Sequence, residues 1–345
     1  MRVLERPELT WEIAAVSPSL GPLWRASTAA TRGGMAKRIG FVVSHEADFA
    51  EALVRRLGLE PAIEAELVTI GGVTEVPLSR WDVIVDSASD AVPHYRAWLR
   101  AMALAGATIV NDPFSPTMAD RFFALAIARR AGVRVPRMVL LPQHSYGPGV
   151  DHARGLRNLE NPWRWGEFAA YVKLPALLRD VHAGLEGATL VGDMEQLWRA
   201  FDATGTRICA LQQHVEGQPT LRGIGIGGED VVLLEGPIGG PHRVLSGAAV
   251  PLATRARAAD AVRATSRALG LELCAVDLAV VDDAVWVLDA GPRIPTLTAE
   301  VLGPSFDRVV EAVAALLIRT ARAGSSTLAG HPVARVLQEE GGGDG

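Results

Sequence analysis

The stretch CAVDLAVVDDAVWVLDAGPR, from Cys274 to Arg293, decides the fold of this chain. Two runs rich in valine and leucine flank a pair of aspartates, which is typical of a β-hairpin with an acidic turn. A turn over residues 282–284 pairs Val281 with Val285 and sets the register of both strands.

In that register Asp277 falls directly opposite Asp289, on the same face of the hairpin. Directly opposed residues lie about 5 Å apart, so the two carboxylates repel each other unless a cation lies between them. Hard oxygen ligands at this spacing suit Mg²⁺, which takes one or two carboxylates and completes its shell with phosphates and water. The segment therefore predicts a magnesium site, with a solvated hairpin carrying two surface acids as the simpler alternative.

Composition places the chain among ordinary globular proteins of two or three subdomains. It has 345 residues, 49% hydrophobic and 21% charged, and a net charge of −5, which gives no support for nucleic-acid binding. We expect no membrane span and no secretory leader, and the two cysteines, Cys209 and Cys274, are too few for a disulfide framework. These features predict a cytoplasmic protein, and base rates favour a homodimer.

Lysine is rare among the basic residues. Lys37 and Lys173 are the only lysines among 34 basic residues, and the other 32 are arginine. Such a skew is most simply a coding bias, so arginine can stand where a mechanism normally uses lysine.

From Arg38 onward, short apolar runs alternate with amphipathic stretches, which predicts βαβ units and a small parallel sheet. The second half predicts an α+β layout, so the fold class is α/β followed by α+β. We expect a strand over residues 133–142. The predicted divisions are a loosely attached or disordered extension (1–36), a first α/β domain (37–115), a linker with a first subdomain (116–212), a second subdomain (213–322) and a disordered tail (323–345).

The glycines Gly223, Gly225 and Gly228 satisfy the G-x-G-x-x-G pattern of dinucleotide sites. That pattern requires a strand before it and a helix after it, whereas the strand-like EDVVLLEG follows here. We therefore interpret these glycines as part of a hairpin, and rank a nicotinamide-dependent oxidoreductase last.

Three strings resemble the ATP-grasp superfamily, which includes glutathione synthetase, D-alanine ligase and the ribosomal-protein glutamate ligases. They are RIGFVVSHE, WDVIVDSASDAVPHYRAWLRAMALAGATIVNDPF and ADRFFALAIARRAGVRVPRMVLLP. The resemblance covers roughly residues 37–320. It implies a Rossmann-like domain preceding a two-subdomain ATP-grasp fold.

The resemblance also implies ATP binding. Arg121 and Arg179 stand where the superfamily has phosphate-binding lysines, and Gly184 and Gly187 belong to the loop that covers the triphosphate. The string LQQHV resembles the hinge that reads adenine. Its predicted nucleotide contacts are Gln212, Gln213, His214 and Val215, with Gln218 near the ribose.

For Mg²⁺ the resemblance assigns Asp277 and Asp289 as ligands. The superfamily adds an asparagine shortly after the second acid, whereas Gly291 and Pro292 occupy those places here. Arg222 corresponds to an arginine that neutralises an acyl phosphate.

Arg293 and His242 are weaker candidates for the acceptor pocket, whose loops we place at residues 143–161 and 236–248. The leading hypothesis is thus an ATP-dependent carboxylate–amine ligase that acts through an acyl phosphate. Its partners would be a small-molecule or peptide carboxylate and an amine. The alternative is a degenerate, non-catalytic ATP-grasp protein that binds a ligand or partner, since several motif positions depart from the pattern.

Overall fold

A computed structural model describes most of the chain. The described residues are 36–43, 48–70, 79–89, 92–146, 165–238, 240–245, 250–292 and 297–329. The predicted extension, most of the predicted tail, and parts of both predicted acceptor loops lie outside these ranges.

The first layer is a four-stranded parallel sheet in the order β2-β1-β3-β4. A helix connects β1 to β2 and another connects β3 to β4, as the βαβ pattern predicts. The strands are β1 (Lys37–Val42), β2 (Ile63–Leu67), β3 (Val83–Asp86) and β4 (Thr108–Val110), and the helices are α1 (Asp48–Leu57) and α2 (Pro93–Leu104).

The second layer is a four-stranded antiparallel sheet in the order β5-β8-β6-β7. Helix α3 (Arg121–Arg130) precedes it, with Asp120 capping the helix by accepting a hydrogen bond from the Phe123 amide. The other elements are β5 (Met138–Leu140), α4 (Trp165–Val172), β6 (Ala176–Asp180), β7 (Thr189–Val191), α5 (Met194–Asp202) and β8 (Cys209–Gln213). The predicted strand over 133–142 is thus only three residues long.

The third layer is a five-stranded antiparallel sheet in the order β11-β10-β9-β12-β13. Its strands are β9 (Thr220–Ile226), β10 (Asp230–Glu235), β11 (Arg243–Val244), β12 (Leu273–Val281) and β13 (Ala284–Gly291). The helices are α6 (Leu252–Leu269), the short α7 (Ala299–Leu302) and α8 (Phe306–Ala323). No helix in the described part of the chain is both long and apolar enough to cross a membrane.

The glycines of the apparent dinucleotide motif lie in and after β9. A Cβ at Gly223 would lie 2.2 Å from a methyl of Val262, and one at Gly225 would lie 2.3 Å from the Ser266 hydroxyl, so both glycines let α6 approach the sheet. Gly228 has a φ of +70° in the turn to β10. The interpretation as a hairpin is confirmed.

The hairpin of β12 and β13 differs from the prediction at its turn. The turn contains only Asp282 and Asp283, both with positive φ, so Val281 pairs with Ala284 rather than with Val285. A β-bulge then places Leu288 as an extra residue on β13. The two one-residue differences cancel, and Asp277 lies opposite Asp289 as predicted.

One buried side chain forms hydrogen bonds between the first layer and the third, which also share an apolar core that includes Ile39, Ile224 and Leu273. Asn111, fully buried after β4, donates to the Leu273 carbonyl at 2.8 Å and accepts from the Leu273 amide at 2.9 Å. The residues that follow α8 also pack on the first layer, because Leu328 is buried and Thr327 accepts a hydrogen bond from the Ile109 amide. The predicted tail therefore starts too early, since helix α8 and the packed residues after it extend to 329.

Candidate functional site

The two acids belong to a transverse row across the third sheet. Leu234 pairs with Arg222, Arg222 pairs with Asp277, and Asp277 pairs with Asp289, so that four strands contribute one residue each. Because opposed residues of an antiparallel sheet share a face, Arg222 is brought directly beside the first acid. This row forms the floor of a cleft.

Arg222 forms an ion pair with Asp277. Its Nε lies 2.6 Å from one carboxylate oxygen and its Nη2 lies 2.9 Å from the other, a bidentate arrangement. Burial raises the pKa of Asp277, and Arg222 offsets part of that rise. Burial lowers the pKa of Arg222, but the hydrogen bond and charge of Asp277 outweigh burial and leave that pKa raised.

Arg179 forms the matching ion pair with Asp289, at 2.9 Å. Only 1% of the Arg179 side chain is exposed, and its Nη1 and Nη2 also donate to the Gln212 side chain and the Ala183 carbonyl, each at 3.0 Å. Gln212 in turn donates to the carbonyl of Leu288, the bulge residue. Arg179 does not line the cleft, and both Arg179 and Gln212 contact β13 rather than open space.

Arg121 lies against Gly291 at the end of β13. Its Nη1 donates to the Ala290 carbonyl at 3.1 Å, and its backbone amide donates to the Val181 carbonyl. A Cβ at Gly291 would lie 1.2 Å from that Nη1. Only a residue without a side chain therefore fits at position 291 while Arg121 keeps this position.

A cleft of about 340 Å³ opens above the row. Cations and carboxylates line it together, and burial followed by the charge of Arg222 lowers the pKa of His242. The lining residues are Arg121, Gly184, Glu186, Arg222, Leu234, Gly240, Pro241, His242, Ala275, Asp277, Asp289, Gly291 and Val301.

An apolar cluster adjoins the acids. Leu185, from the loop after β6, packs with Ala279 and Leu288, and the partly buried Val215 joins them. Leu185 lies between Gly184 and Glu186, so its packing anchors the predicted phosphate loop against the hairpin. Gly187 ends this loop in open space and does not line the cleft.

The remaining predicted nucleotide contacts lie outside the cleft lining. The Gln213 side chain accepts a hydrogen bond from the Arg137 amide, and the His214 ring lies 3.8 Å from Glu216. Gln218 is exposed on the chain leading to β9. Arg293 falls outside the described residues.

Asp277 and Asp289 alone supply too few ligands to hold a metal ion without other ligands. The described residues contain no cluster of three or more histidine, cysteine, aspartate or glutamate side chains around a common point. Asp277 and Asp289 are each neutralised by an arginine, and Gly291 supplies no third donor. The pair therefore suits an ion that arrives with phosphates and water as its other ligands.

Glu186 lies in the predicted triphosphate loop, and Gly240 and Pro241 lie in the predicted acceptor loop 236–248. The lining residues outside every predicted site segment are the apolar Leu234, Ala275 and Val301. Strand alternation could have indicated Ala275, which lies two residues before Asp277 on the same face. The others depend on loop conformation and on which strands become neighbours, which the local sequence does not encode.

Comparison with known proteins identifies the fold. No family model matches the sequence, and no curated protein matches it. Among solved structures, the D-alanine–D-alanine ligase of Bacillus anthracis complexed with ATP has a TM-score of 0.56 at 15% identity, covering 89% of this chain and 100% of that chain.

Two further structures agree with that match. A RimK domain ATP-grasp protein from Sphaerobacter thermophilus has a TM-score of 0.59 at 15% identity, covering 81% of this chain and 98% of that chain. The macrocyclase MdnC of Microcystis aeruginosa, bound to the precursor peptide MdnA, has a TM-score of 0.56 at 13% identity, covering 82% and 99%. The chain therefore has the ATP-grasp fold, with a parallel sheet followed by two antiparallel sheets, and the fold expected from the sequence is confirmed.

Proposed function

We propose that this chain is an ATP-dependent ligase that joins a carboxylate to an amine. One observation carries the proposal: Arg121, Arg222, Asp277 and Asp289 line a single cleft although they come from four different elements. Two guanidinium groups beside two carboxylates provide charge of both signs at one place. Such a site suits a triphosphate that enters together with a divalent cation.

Arg121 and Arg222 would bind the phosphates, since both residues line the cleft. A substrate carboxylate oxygen would attack the γ-phosphorus, the bond to the leaving ADP oxygen would break, and an acyl phosphate would form. Preorganised cations stabilise the charge that develops in this transfer. The amine nitrogen would then attack the acyl carbon, phosphate would leave, and the amine would lose a proton.

Arg179 has a different role in this proposal, because it is buried behind Asp289. Its hydrogen bonds to Gln212, Ala183 and Asp289 hold the second acid in position. A magnesium ion carried in with ATP would be held by Asp277 and Asp289 and would neutralise charge on the triphosphate.

Known structures of this fold support the kind of reaction. The solved structures include a ligase complexed with ATP and a macrocyclase bound to its precursor peptide, so small-molecule and peptide carboxylates are both reasonable substrates. Cys209 and Cys274 are free and buried, in agreement with the proposed cytoplasmic location. A homodimer stays a prediction.

Nucleotide binding gives the direct test. We expect a non-hydrolysable ATP analogue with Mg²⁺ to bind the full chain with micromolar affinity in calorimetry, and Asp277→Asn to weaken this by about tenfold or more. The matched control is Asp283→Asn, the same change at the exposed turn of the same hairpin. Equal affinity in both variants would show that the acid pair does not hold the nucleotide.

A second candidate is a non-catalytic module that binds an anionic ligand or partner. The two ion pairs favour it, because arginine already neutralises both acids without a metal. We expect a ligase to need Mg²⁺ for tight ATP binding, and to form hydroxamates when amino acids are supplied as carboxylates with hydroxylamine as the amine. Binding that is equal in Mg²⁺ and in EDTA, without ADP release, would favour the module.

A further inference from the structure

A second cavity lies where α3, the chain entering β5, the end of α4 and strand β13 meet. It has a volume of about 440 Å³ and shares no lining residue with the cleft. We call it the basic groove. It is lined by Arg129, Val133, Arg134, Val135, Arg137, Tyr171, Lys173, Gln213 and Trp286.

Four cations line the basic groove, and no carboxylate does. Arg129, Arg134, Arg137 and Lys173 are all exposed, and none of them forms an ion pair with any residue that the structure describes. Other exposed arginines do form ion pairs, for example Arg38 with Glu64 and Arg199 with Glu195. Four uncompensated positive charges in a chain with a net charge of −5 produce a strong local positive potential.

Neighbouring groups hold three of these side chains without neutralising them. The guanidinium of Arg134 lies over the Trp286 ring at 5.4 Å, and that of Arg137 lies over the Tyr171 ring at 5.5 Å. Arg137 also donates to the Tyr171 carbonyl at 3.1 Å, and Arg129 donates to the Pro136 carbonyl. Rings and carbonyls orient a guanidinium but carry no full charge, so an anion can still be bound.

The backbone around the groove is fixed as well. The Val287 amide of β13 donates to the Arg134 carbonyl at 2.9 Å. Gln213 and Arg137 exchange two bonds, one from each backbone amide. The cations of the chain entering β5 are therefore presented from a rigid base, which lowers the entropy cost of binding a ligand.

We propose that the basic groove binds a small polyanion, a molecule with two or more phosphate or carboxylate groups. Its volume lies in the range of small-molecule sites, about 300–1,000 Å³. Two or more anionic groups match cations contributed by several separate elements, and one bound molecule would link α3, α4 and the chain entering β5. None of its residues lines the cleft, although Gln213 is also a predicted nucleotide contact.

Calorimetry on the full chain tests this proposal, with inorganic pyrophosphate as the phosphate probe and citrate as the carboxylate probe. We expect one saturable site for at least one probe at about 50 mM salt, weakened strongly at about 500 mM because the cations are exposed. The double variant Arg134→Gln/Lys173→Gln should weaken that binding by about tenfold or more. Which probe binds more tightly distinguishes phosphate from carboxylate ligands.

The matched control is the double variant Arg130→Gln/Arg308→Gln, which removes the same charge from exposed arginines outside the groove. We expect it to bind like the unmodified chain, while both double variants keep the unmodified melting temperature. Quenching of tryptophan fluorescence by the probe, lost in Trp286→Phe, would place the ligand beside that ring. Equal weakening in both double variants, unchanged binding in the groove variant, or no saturable binding of either probe would overturn the proposal.

Discussion

The guanidinium of Arg121 occupies the space that a side chain at position 291 would need. Its Nη1 lies 1.2 Å from where a Cβ of residue 291 would be placed, and it donates to the carbonyl of Ala290 next door. The resemblance to the ATP-grasp superfamily led us to expect an asparagine near this position and a lysine at position 121. In this chain the arginine at position 121 and the glycine at position 291 are thus sterically matched, because the guanidinium occupies the place of a side chain on β13.

This relationship predicts non-additive substitutions. Gly291→Ala should destabilise the chain by about 1–3 kcal/mol, because the methyl group must displace a buried guanidinium. In the background Arg121→Met, which lacks the guanidinium, the same change should cost markedly less. Urea unfolding of the unmodified chain, the two single variants and the double variant gives the coupling free energy between the two positions. Additive costs would mean that the two residues do not compete for space.

The buried ion pair between Arg179 and Asp289 predicts a large stability effect. Arg179→Met should cost about 3–5 kcal/mol, since it leaves a buried carboxylate without its partner. The control is Arg199→Met, which breaks an exposed pair with Glu195 and should cost less than about 1 kcal/mol. The measurement is the free energy of unfolding of each variant, compared with that of the unmodified chain. Similar costs for the two variants would show that the buried pair is not important for stability.

Removal of Arg222 should make stability depend more strongly on pH. Burial already raises the pKa of Asp277, and Arg222→Met would raise it further by removing the partner that offsets burial. When the pKa of a carboxyl group is higher in the folded state than in the unfolded state, the folded protein loses stability as pH rises between the two pKa values. We therefore expect the variant to be closest to the unmodified chain near pH 4 and farthest from it near pH 8. A difference that is constant with pH would contradict this assignment.

Glu272, just before β12, predicts a second pH effect. Burial, together with the charge of Asp112, raises its pKa to about 7 from an ordinary value of 4.5. The folded state thus loses stability as pH rises from about 4.5 through 7, by about 3 kcal/mol. Glu272→Gln should stabilise the chain near pH 8 and leave it unchanged near pH 4, as thermal unfolding can show. The exposed Glu229→Gln is the control and should be neutral at both pH values.

The sequence predicted the fold well where patterns are local. Strand alternation, the order of elements and the opposition of Asp277 and Asp289 were all confirmed. The last of these was right although the turn was not, because the bulge at Leu288 compensates for the shorter turn. Turn type and bulge depend on backbone conformations that alternation alone does not reveal.

The candidate site was harder to predict, because it depends on which strands become neighbours. Arg222 and Asp277 are 55 residues apart, and only the register of β9 with β12 brings them together. Arg179 was predicted to bind phosphate, whereas it is buried and holds Asp289. Whether a cation faces a cavity or packs behind it is decided by tertiary burial, which residue type does not indicate.

The amide of Asn111 acts as a one-residue peptide mimic, because it donates and accepts as a neighbouring strand would. In consequence the Leu273 amide depends on a side chain, rather than on a strand, for its protection from solvent hydrogen exchange. Asn111→Ala should therefore open this one junction while the exchange of the strands on either side stays slow. The apolar core that includes Ile39, Ile224 and Leu273 would still hold the two sheets together. The expected change is therefore faster exchange confined to the first residue of the strand that carries Asp277.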